Sequence, residues 1–247
     1  MASRPRIVAL IVAAGSGSRT GGNIPKQFRI VRDQPMLRHS FAALAAHSEI
    51  DDVVIAIAEG QEQEARAALN NASDAIFVTG GATRRESVRN GLEAISTKGS
   101  ADFVLIHDAA RPFLHQKVIN DLISALLNAP GAVPALPVVD SLARGEGNLS
   151  DTVERENLWR IQTPQAFHFG AILAAHRDWS GDEPSDDARM LMAMGQKVSI
   201  VPGDEALAKF TFAGDFAGQE MKPTFRSGSG FDVHRLVPDE ELWLCGV

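Results

Sequence analysis

Basic residues are in deficit in this chain. Of its 247 residues, 24 are Lys or Arg against 31 Asp or Glu, which gives a formal net charge of −7. That balance excludes a protein built to coat nucleic acid or an anionic membrane, and neither partner is expected. A small anionic substrate is still allowed, because a pocket needs only a few cations. Cysteine occurs once, at Cys245, so no intrachain disulfide can form and no oxidising compartment is needed. No apolar run approaches the roughly 20 residues that span a bilayer. The basic start, Met1 to Arg6, followed by apolar Ile7–Ala14, has the look of a signal peptide. That run is short, however, and leads straight into Gly15-Ser16-Gly17-Ser18-Arg19, so a buried strand in a cytoplasmic protein is expected. There is no internal repeat and no low-complexity tract. What remains is ordinary globular composition, 45% hydrophobic and 22% charged, with ample material for a core.

Apolar, β-branched runs alternate with segments of helical pattern. Strands are expected at Ile7–Ala13, Asp52–Ala58, Ala75–Thr79, Phe103–His107, Ala132–Val139 and Lys197–Val201. Helices are expected at Pro35–His47, Gln61–Asn70, Arg84–Ser96, Gln116–Asn128 and Asp186–Met194. The strands are continuous apolar runs, as in a parallel sheet covered on both faces. The fold class is therefore α/β, an open, mostly parallel Rossmann-like sheet with helices on both faces. Ligands in such sheets sit beyond the carboxyl ends of the strands. The alternation breaks over Asp140–Trp159, which reads either as a protruding β-arm or as a surface loop. Residues 223–230 have linker character, and an apolar segment, Leu242–Val247, ends the chain.

The unusual residues fall just after strands. Ala13-Ala14-Gly15-Ser16-Gly17-Ser18-Arg19, followed by Pro25-Lys26-Gln27, offers two glycines for close backbone approach to a phosphate and two cations. It is neither a dinucleotide fingerprint nor a Walker A loop; the plain alternative is a β–α turn with solvated cations. Gly80-Gly81-Ala82-Thr83-Arg84-Arg85-Glu86-Ser87 reads as a second such loop, or simply as a turn with Thr83 as N-cap. In His107-Asp108-Ala109-Ala110-Arg111-Pro112, Asp108 suits a divalent cation shared with substrate phosphates, or an ion pair with Arg111. Thr152-Val153-Glu154-Arg155, Thr163-Pro164-Gln165 and the lone Lys209 each read individually as surface features.

In this order and spacing, the five motifs closely resemble the 2-C-methyl-D-erythritol 4-phosphate cytidylyltransferase family of non-mevalonate isoprenoid synthesis. The resemblance runs from about Arg6 to Gln219. It implies transfer of a cytidylyl group from CTP to methylerythritol phosphate, with Mg²⁺, in a homodimer joined through the arm at 140–159. It implies that Arg19 and Lys26 contact the CTP phosphates. Ala13, Ala14, Gly15, Gly17, Gly80, Gly81, Ser87, Asp108 and Ala109 would surround the nucleotide, with Asp108 also on Mg²⁺. Arg155 and Lys209 would hold the acceptor phosphate, with Ser141 and Thr163 nearby. The tail motif Gly228-x-Gly230-Phe231-Asp232-Val233-His234 resembles the opening of 2-C-methyl-D-erythritol 2,4-cyclodiphosphate synthase. It implies that Asp232 and His234 are two ligands of a Zn²⁺-type site whose third ligand lies beyond Val247. The organisation implied is a cytidylyltransferase domain over 1–222, a linker over 223–230 and the start of a second domain over 231–247, in a fragment of a bifunctional fusion.

Three departures from the family pattern stand out. Ser141 replaces a common Thr, and Ala82 a residue that is often acidic or polar. Around Lys209 the chain reads Ala-Leu-Ala-Lys-Phe-Thr-Phe-Ala-Gly-Asp-Phe, unlike the usual surroundings of that lysine. Rival functions are another sugar- or alditol-phosphate nucleotidyltransferase and a non-catalytic nucleotide-binding module.

Overall fold

The computed structural model describes residues 4–15, 24–72 and 74–217, with the isolated positions 228, 230 and 238. Strand β1 (Ile7–Ala13) is apolar along its whole length and is followed by a small hairpin, β2 (Ile30–Val31) and β3 (Gln34–Pro35). Then come α1 (Met36–Ala45), β4 (Asp52–Ile57), α2 (Glu62–Ala68), β5 (Ala75–Thr79), α3 (Arg84–Thr97), β6 (Phe103–Asp108), α4 (Gln116–Ala125) and β7 (Gly131–Pro137). A second hairpin, β8 (Leu142–Gly145) and β9 (Leu149–Val153), precedes β10 (Trp159–Ile161), β11 (Gln165–His168), α5 (Phe169–Asp178), α6 (Asp187–Ala193) and β12 (Val198–Pro202).

The main sheet has the order β10-β7-β11-β6-β1-β4-β5, with β12 paired to β7. Strands β6, β1, β4 and β5 run parallel, as does the β12–β7 pair. Strands β10 and β11 are antiparallel to their neighbours. The chain moves outward from β1 through β4 to β5, then returns through α3 to β6 on the other side of β1. The strand order therefore reverses at β1, and a crevice opens there beyond the carboxyl ends.

Alternate residues of β1 feed two cores. Ile7, Ala9 and Ile11 pack with Leu37 and Leu44 of α1 and with Ile119 and Leu122 of α4. Val8 and Leu10 pack with Val88 and Leu92 of α3, Ile172 of α5 and Leu191 of α6. Two buried faces explain why the strand is apolar at every position. The expected elements are present, with ends shifted by a few residues. The stretch over 140–159 resolves as the β8–β9 hairpin, not as an irregular loop. Strand β11 and helix α5 were not expected. Gln-Ala-Phe-His is too short and too polar at its ends to read as a strand, yet it fills the gap between β6 and β7.

Helix α3 lies unusually close to β1. A Cβ on Gly91 would stand 2.4 Å from Cδ1 of Leu10, which is itself fully buried. Glycine costs a helix interior about 1 kcal/mol relative to alanine, so contact distance explains its presence here. Gly91→Ala is expected to destabilise the fold by about 1–2 kcal/mol, because overpacking outweighs the gain in propensity. Urea denaturation checks this; an unchanged or raised midpoint would contradict it.

Candidate active site

The crevice at β1 is lined by three segments that follow parallel strands. These are Val12 to Gly15 at the end of β1, Gly81 to Arg84 with Ser87 after β5, and Asp108 to Ala110 at the end of β6. Lys26, Gln27 and Lys209 complete the wall. Among these lining residues Asp108 is the only acid, and it is 7% exposed.

Two cations hold its carboxylate. Arg84 Nε donates to Oδ1 at 3.0 Å and Lys209 Nζ to Oδ2 at 2.6 Å. Burial alone would raise the Asp108 pKa, but the charges of Arg84 and Lys209 reverse this and hold it far below the usual carboxylate range. Arg84 is itself gripped from behind: its Nη1 lies 2.8 Å from Oδ2 of the fully buried Asp187, whose Oδ1 accepts from His176 Nε2 at 3.1 Å. Burial would lower the Arg84 pKa, yet Asp187 and Asp108 together raise it. The guanidinium therefore stays charged.

Backbone geometry fixes the loops. Thr83 caps α3 by accepting from the Glu86 N–H at 3.2 Å, and Glu86 returns the bond to the Thr83 N–H. This is the N-cap expected from sequence. A Cβ on Gly80 would stand 2.5 Å from Cβ of Ala14, so this glycine lets the loops after β1 and β5 touch. Ser87 accepts from the Gly81 N–H at 3.0 Å and donates to the Thr83 carbonyl at 2.9 Å. Thr163 accepts from the Asp108 N–H at 3.0 Å, and its hydroxyl donates to Nδ1 of His107 at 3.1 Å. The Arg111 carbonyl, 3.0 Å from Nε2 of His107, can only accept. Burial keeps the ring neutral, and the carbonyl then places its proton on Nε2.

Residues 7–222 match the family model described as IspD, 2-C-methyl-D-erythritol 4-phosphate cytidylyltransferase. The chain belongs to this family. Its members are nucleotidyltransferases of non-mevalonate isoprenoid synthesis, and the open, mostly parallel sheet is theirs. A protein named bifunctional enzyme IspD/IspF, from Novosphingobium aromaticivorans, is 52% identical over 243 residues, covering 98% of this chain and 62% of that protein. The chain thus spans less than two thirds of the length of the curated relatives it matches. A solved 4-diphosphocytidyl-2C-methyl-D-erythritol synthase superposes with a TM-score of 0.74 at 30% identity, covering 86% of this chain and 96% of that one. The cytidylyltransferase from Thermus thermophilus gives 0.70 at 32% identity, covering 84% and 94%.

The expected site residues fall into four groups. Ala13, Ala14, Gly15, Lys26, Gly81, Ser87, Asp108, Ala109 and Lys209 line one crevice, with Gly80 just behind its wall. Thr163 is buried beneath it, with its hydroxyl committed to Asp108 and His107. Ser141 and Arg155 stand exposed beside the β8–β9 hairpin and do not line the crevice; Arg155 donates to the Val139 carbonyl. Gly17, Arg19, Asp232 and His234 lie outside the described residues. The alternative of an Asp108–Arg111 ion pair is not what forms: the Arg111 guanidinium turns to the Leu207 carbonyl at 2.5 Å. Arg84 was not among the expected site residues. Its signal was a cation in the first turn of a helix, where the macrodipole disfavours it unless carboxylates stand opposite.

His107 carries a measurable consequence. Burial pushes its pKa down from 6.5 to about 4. The folded chain thus keeps it neutral while the unfolded chain protonates it below pH 6.5. Its contribution is fully present above that pH and declines as pH falls towards 4. The metal-free protein is expected to lose about 2–3 kcal/mol between pH 7 and pH 4.5 from this group. Denaturation in a chelating buffer at both values checks this. In His107→Gln most of that slope should vanish; an unchanged slope would assign it elsewhere.

Proposed function

We propose that the chain transfers a cytidylyl group from CTP to 2-C-methyl-D-erythritol 4-phosphate, releasing pyrophosphate. The observation that carries this reading is the crevice at the β1 switch point, where Arg84 and Lys209 hold one ionised carboxylate and Lys26 lines the same wall. It offers cations of suitable chemistry for two polyanions, in a chain of the cytidylyltransferase family.

An acceptor phosphate oxygen attacks the α-phosphorus of CTP. A new P–O bond forms, the bond to the β-phosphate oxygen breaks, and pyrophosphate leaves with the electron pair. No covalent enzyme intermediate is needed. The protein's task is to align the anions and stabilise charge on the transferring group. Lys26 and Arg19 would contact the triphosphate, and the backbone from Ala13 to Gly17 would approach it closely. Gly80, Gly81, Ser87 and Ala109 would form the cytosine and ribose side. Lys209 and Arg155 would hold the acceptor phosphate, with Ser141 beside it. Thr163 would act from beneath, by fixing the Asp108 backbone.

A divalent cation such as Mg²⁺ fits the donor set. Asp108 is a hard, ionised oxygen ligand, and magnesium shared with substrate phosphates needs only one or two carboxylates. Among the described residues no cluster of three or more His, Cys, Asp or Glu stands ready to cage a metal alone. When bound, the cation would neutralise phosphate charge. Asp108 would hold it, and Arg84 would keep Asp108 ionised and in place.

The assembly proposed is a homodimer through the arm at 140–159. The arm is a two-stranded hairpin exposed on both faces, with Leu149 84% and nearby Val139 65% exposed. Such a hairpin is marginal alone, and its apolar side chains call for a partner. Cytoplasmic location is proposed as well; no helix among the described residues is long and apolar enough to cross a membrane. The domain proposed covers 1–222, followed by a linker over 223–230. From Phe231 a cyclodiphosphate synthase unit would begin in a longer protein, with Asp232 and His234 as Zn²⁺-type ligands.

Pyrophosphate release is expected to require CTP, a divalent cation and methylerythritol 4-phosphate together. CTP binding without release, or release only with another sugar or alditol phosphate, would overturn the assignment. Lys26→Ala is expected to cut turnover by about 10²–10³-fold, the scale for losing one charge-stabilising donor. Steady-state kinetics of the variant, with near-normal turnover as the contrary result, decides its role.

A further inference from the structure

The structure shows what holds the segment around Lys209. Phe210 is 5% exposed and packs with Val31, Met36 and Ala110 in a small cluster apart from the two main cores. Its N–H donates to the Ala110 carbonyl at 2.9 Å, which ties it to the loop after β6. Phe216 meets Phe210 edge-on, with ring centroids 5.3 Å apart. Between them the chain folds back on itself, with Asp215 Oδ2 accepting from the N–H groups of Thr211 at 2.6 Å and Phe212 at 2.8 Å. Over the outer face of Phe216 lies the Arg29 guanidinium, 4.0 Å from the ring centroid. Arg29 directly follows the 3₁₀ turn Lys26–Phe28. The two lysine-bearing segments of the crevice are thus joined through an arginine stacked on an aromatic pair.

We infer that Phe210 and Phe216, clasped by Arg29, are positioning residues that fix the Lys209 ammonium opposite Asp108 and in register with Lys26. The inference rests on the proposed role of Lys209 at the acceptor phosphate. The geometry supports it because Lys209 is half-exposed and its long side chain has free rotors. One ion pair with Asp108 does not define its backbone. The residue after it is the one anchored in the cluster, and that anchor is closed by Phe216. Edge-on aromatic pairs and stacked cations hold such a segment directionally, which aliphatic contacts alone do not. Arg29 closes the clasp from the turn that carries Lys26, but that turn is held by its own backbone bonds, from Phe28 N–H to the Pro25 carbonyl at 3.0 Å, Arg29 N–H to the Lys26 carbonyl at 3.2 Å and Met36 N–H to the Arg29 carbonyl at 3.0 Å, so loss of the Phe216 ring should act on Lys209 and leave the CTP contacts little changed.

The test uses Phe216, which is half-buried and outside the crevice, in the whole chain. Phe216→Ala is expected to raise the KM for methylerythritol 4-phosphate about tenfold, with the KM for CTP changed less than about twofold. Phe216→Tyr keeps the ring and should restore the acceptor KM. A second readout is independent of turnover: the rate at which acetic anhydride acylates Lys209, followed by mass spectrometry. Wild type and Phe216→Tyr should be protected, and Phe216→Ala several-fold more reactive. Equal Lys209 reactivity in all three proteins would overturn the inference, whatever reaction the enzyme performs. An equal rise in both KM values would also overturn it, because that marks general loosening. Failure of wild type to use this acceptor, with Lys209 exposed by Phe216→Ala, would instead overturn the assigned reaction and leave the clasp standing.

Discussion

A buried carboxylate that must remain charged is the constraint on which the rest of the site depends. Asp108 ends the strand beside β1, in a position with little access to water. Left alone there it would hold a proton more readily. Arg84 and Lys209 prevent this, and each arrives from a distant part of the chain. Arg84 comes from the first turn of α3 and Lys209 from the segment beyond β12. One charge thus determines where two others stand, and a buried charge without its partner is far costlier than a surface one.

That requirement propagates outward. Arg84 sits at a helix start, where a cation is unwelcome, so Asp187 and His176 hold it from behind. The Asp108 backbone is in turn fixed by Thr163, whose hydroxyl is oriented by a histidine kept neutral through burial. Close contacts without side chains, Gly80 against Ala14 and Gly91 against Leu10, bring α3 and the loops near enough for these bonds to form. The crevice is therefore a product of packing on both faces of the sheet. Its cations are held in place by the protein itself, and preorganised charge of this kind is how the proposed transfer, which needs no covalent intermediate, would gain rate.

Much of the fold was legible because parallel strands covered on both faces leave a strong trace: β1, β4 and β6 are unbroken apolar runs. Strand β11 left none, since four residues with a glutamine and a histidine at the ends carry no period. Yet Gln165 is almost fully buried, and its carboxamide oxygen accepts from the Ala188 N–H at 3.0 Å. The site was legible where its residues follow strands in short motifs, as with Gly81, Ser87 and Asp108. It was illegible where function depends on long-range pairing. Nothing near Arg84 in sequence announces Asp187, and nothing near Lys209 announces Arg29. The Asp108–Arg111 pair suggested by proximity loses to a guanidinium that finds the Leu207 carbonyl instead.

The 2.6 Å ion pair makes Asp108 and Lys209 one unit and not two independent contacts. A double-mutant cycle in kcat/KM, using Asp108→Asn, Lys209→Met and the double variant, tests it directly. Strong non-additivity is expected: the double variant should be little worse than the poorer single one, because each substitution already disables the pair. Losses that simply multiply would show that the two side chains work separately, which contradicts a shared role.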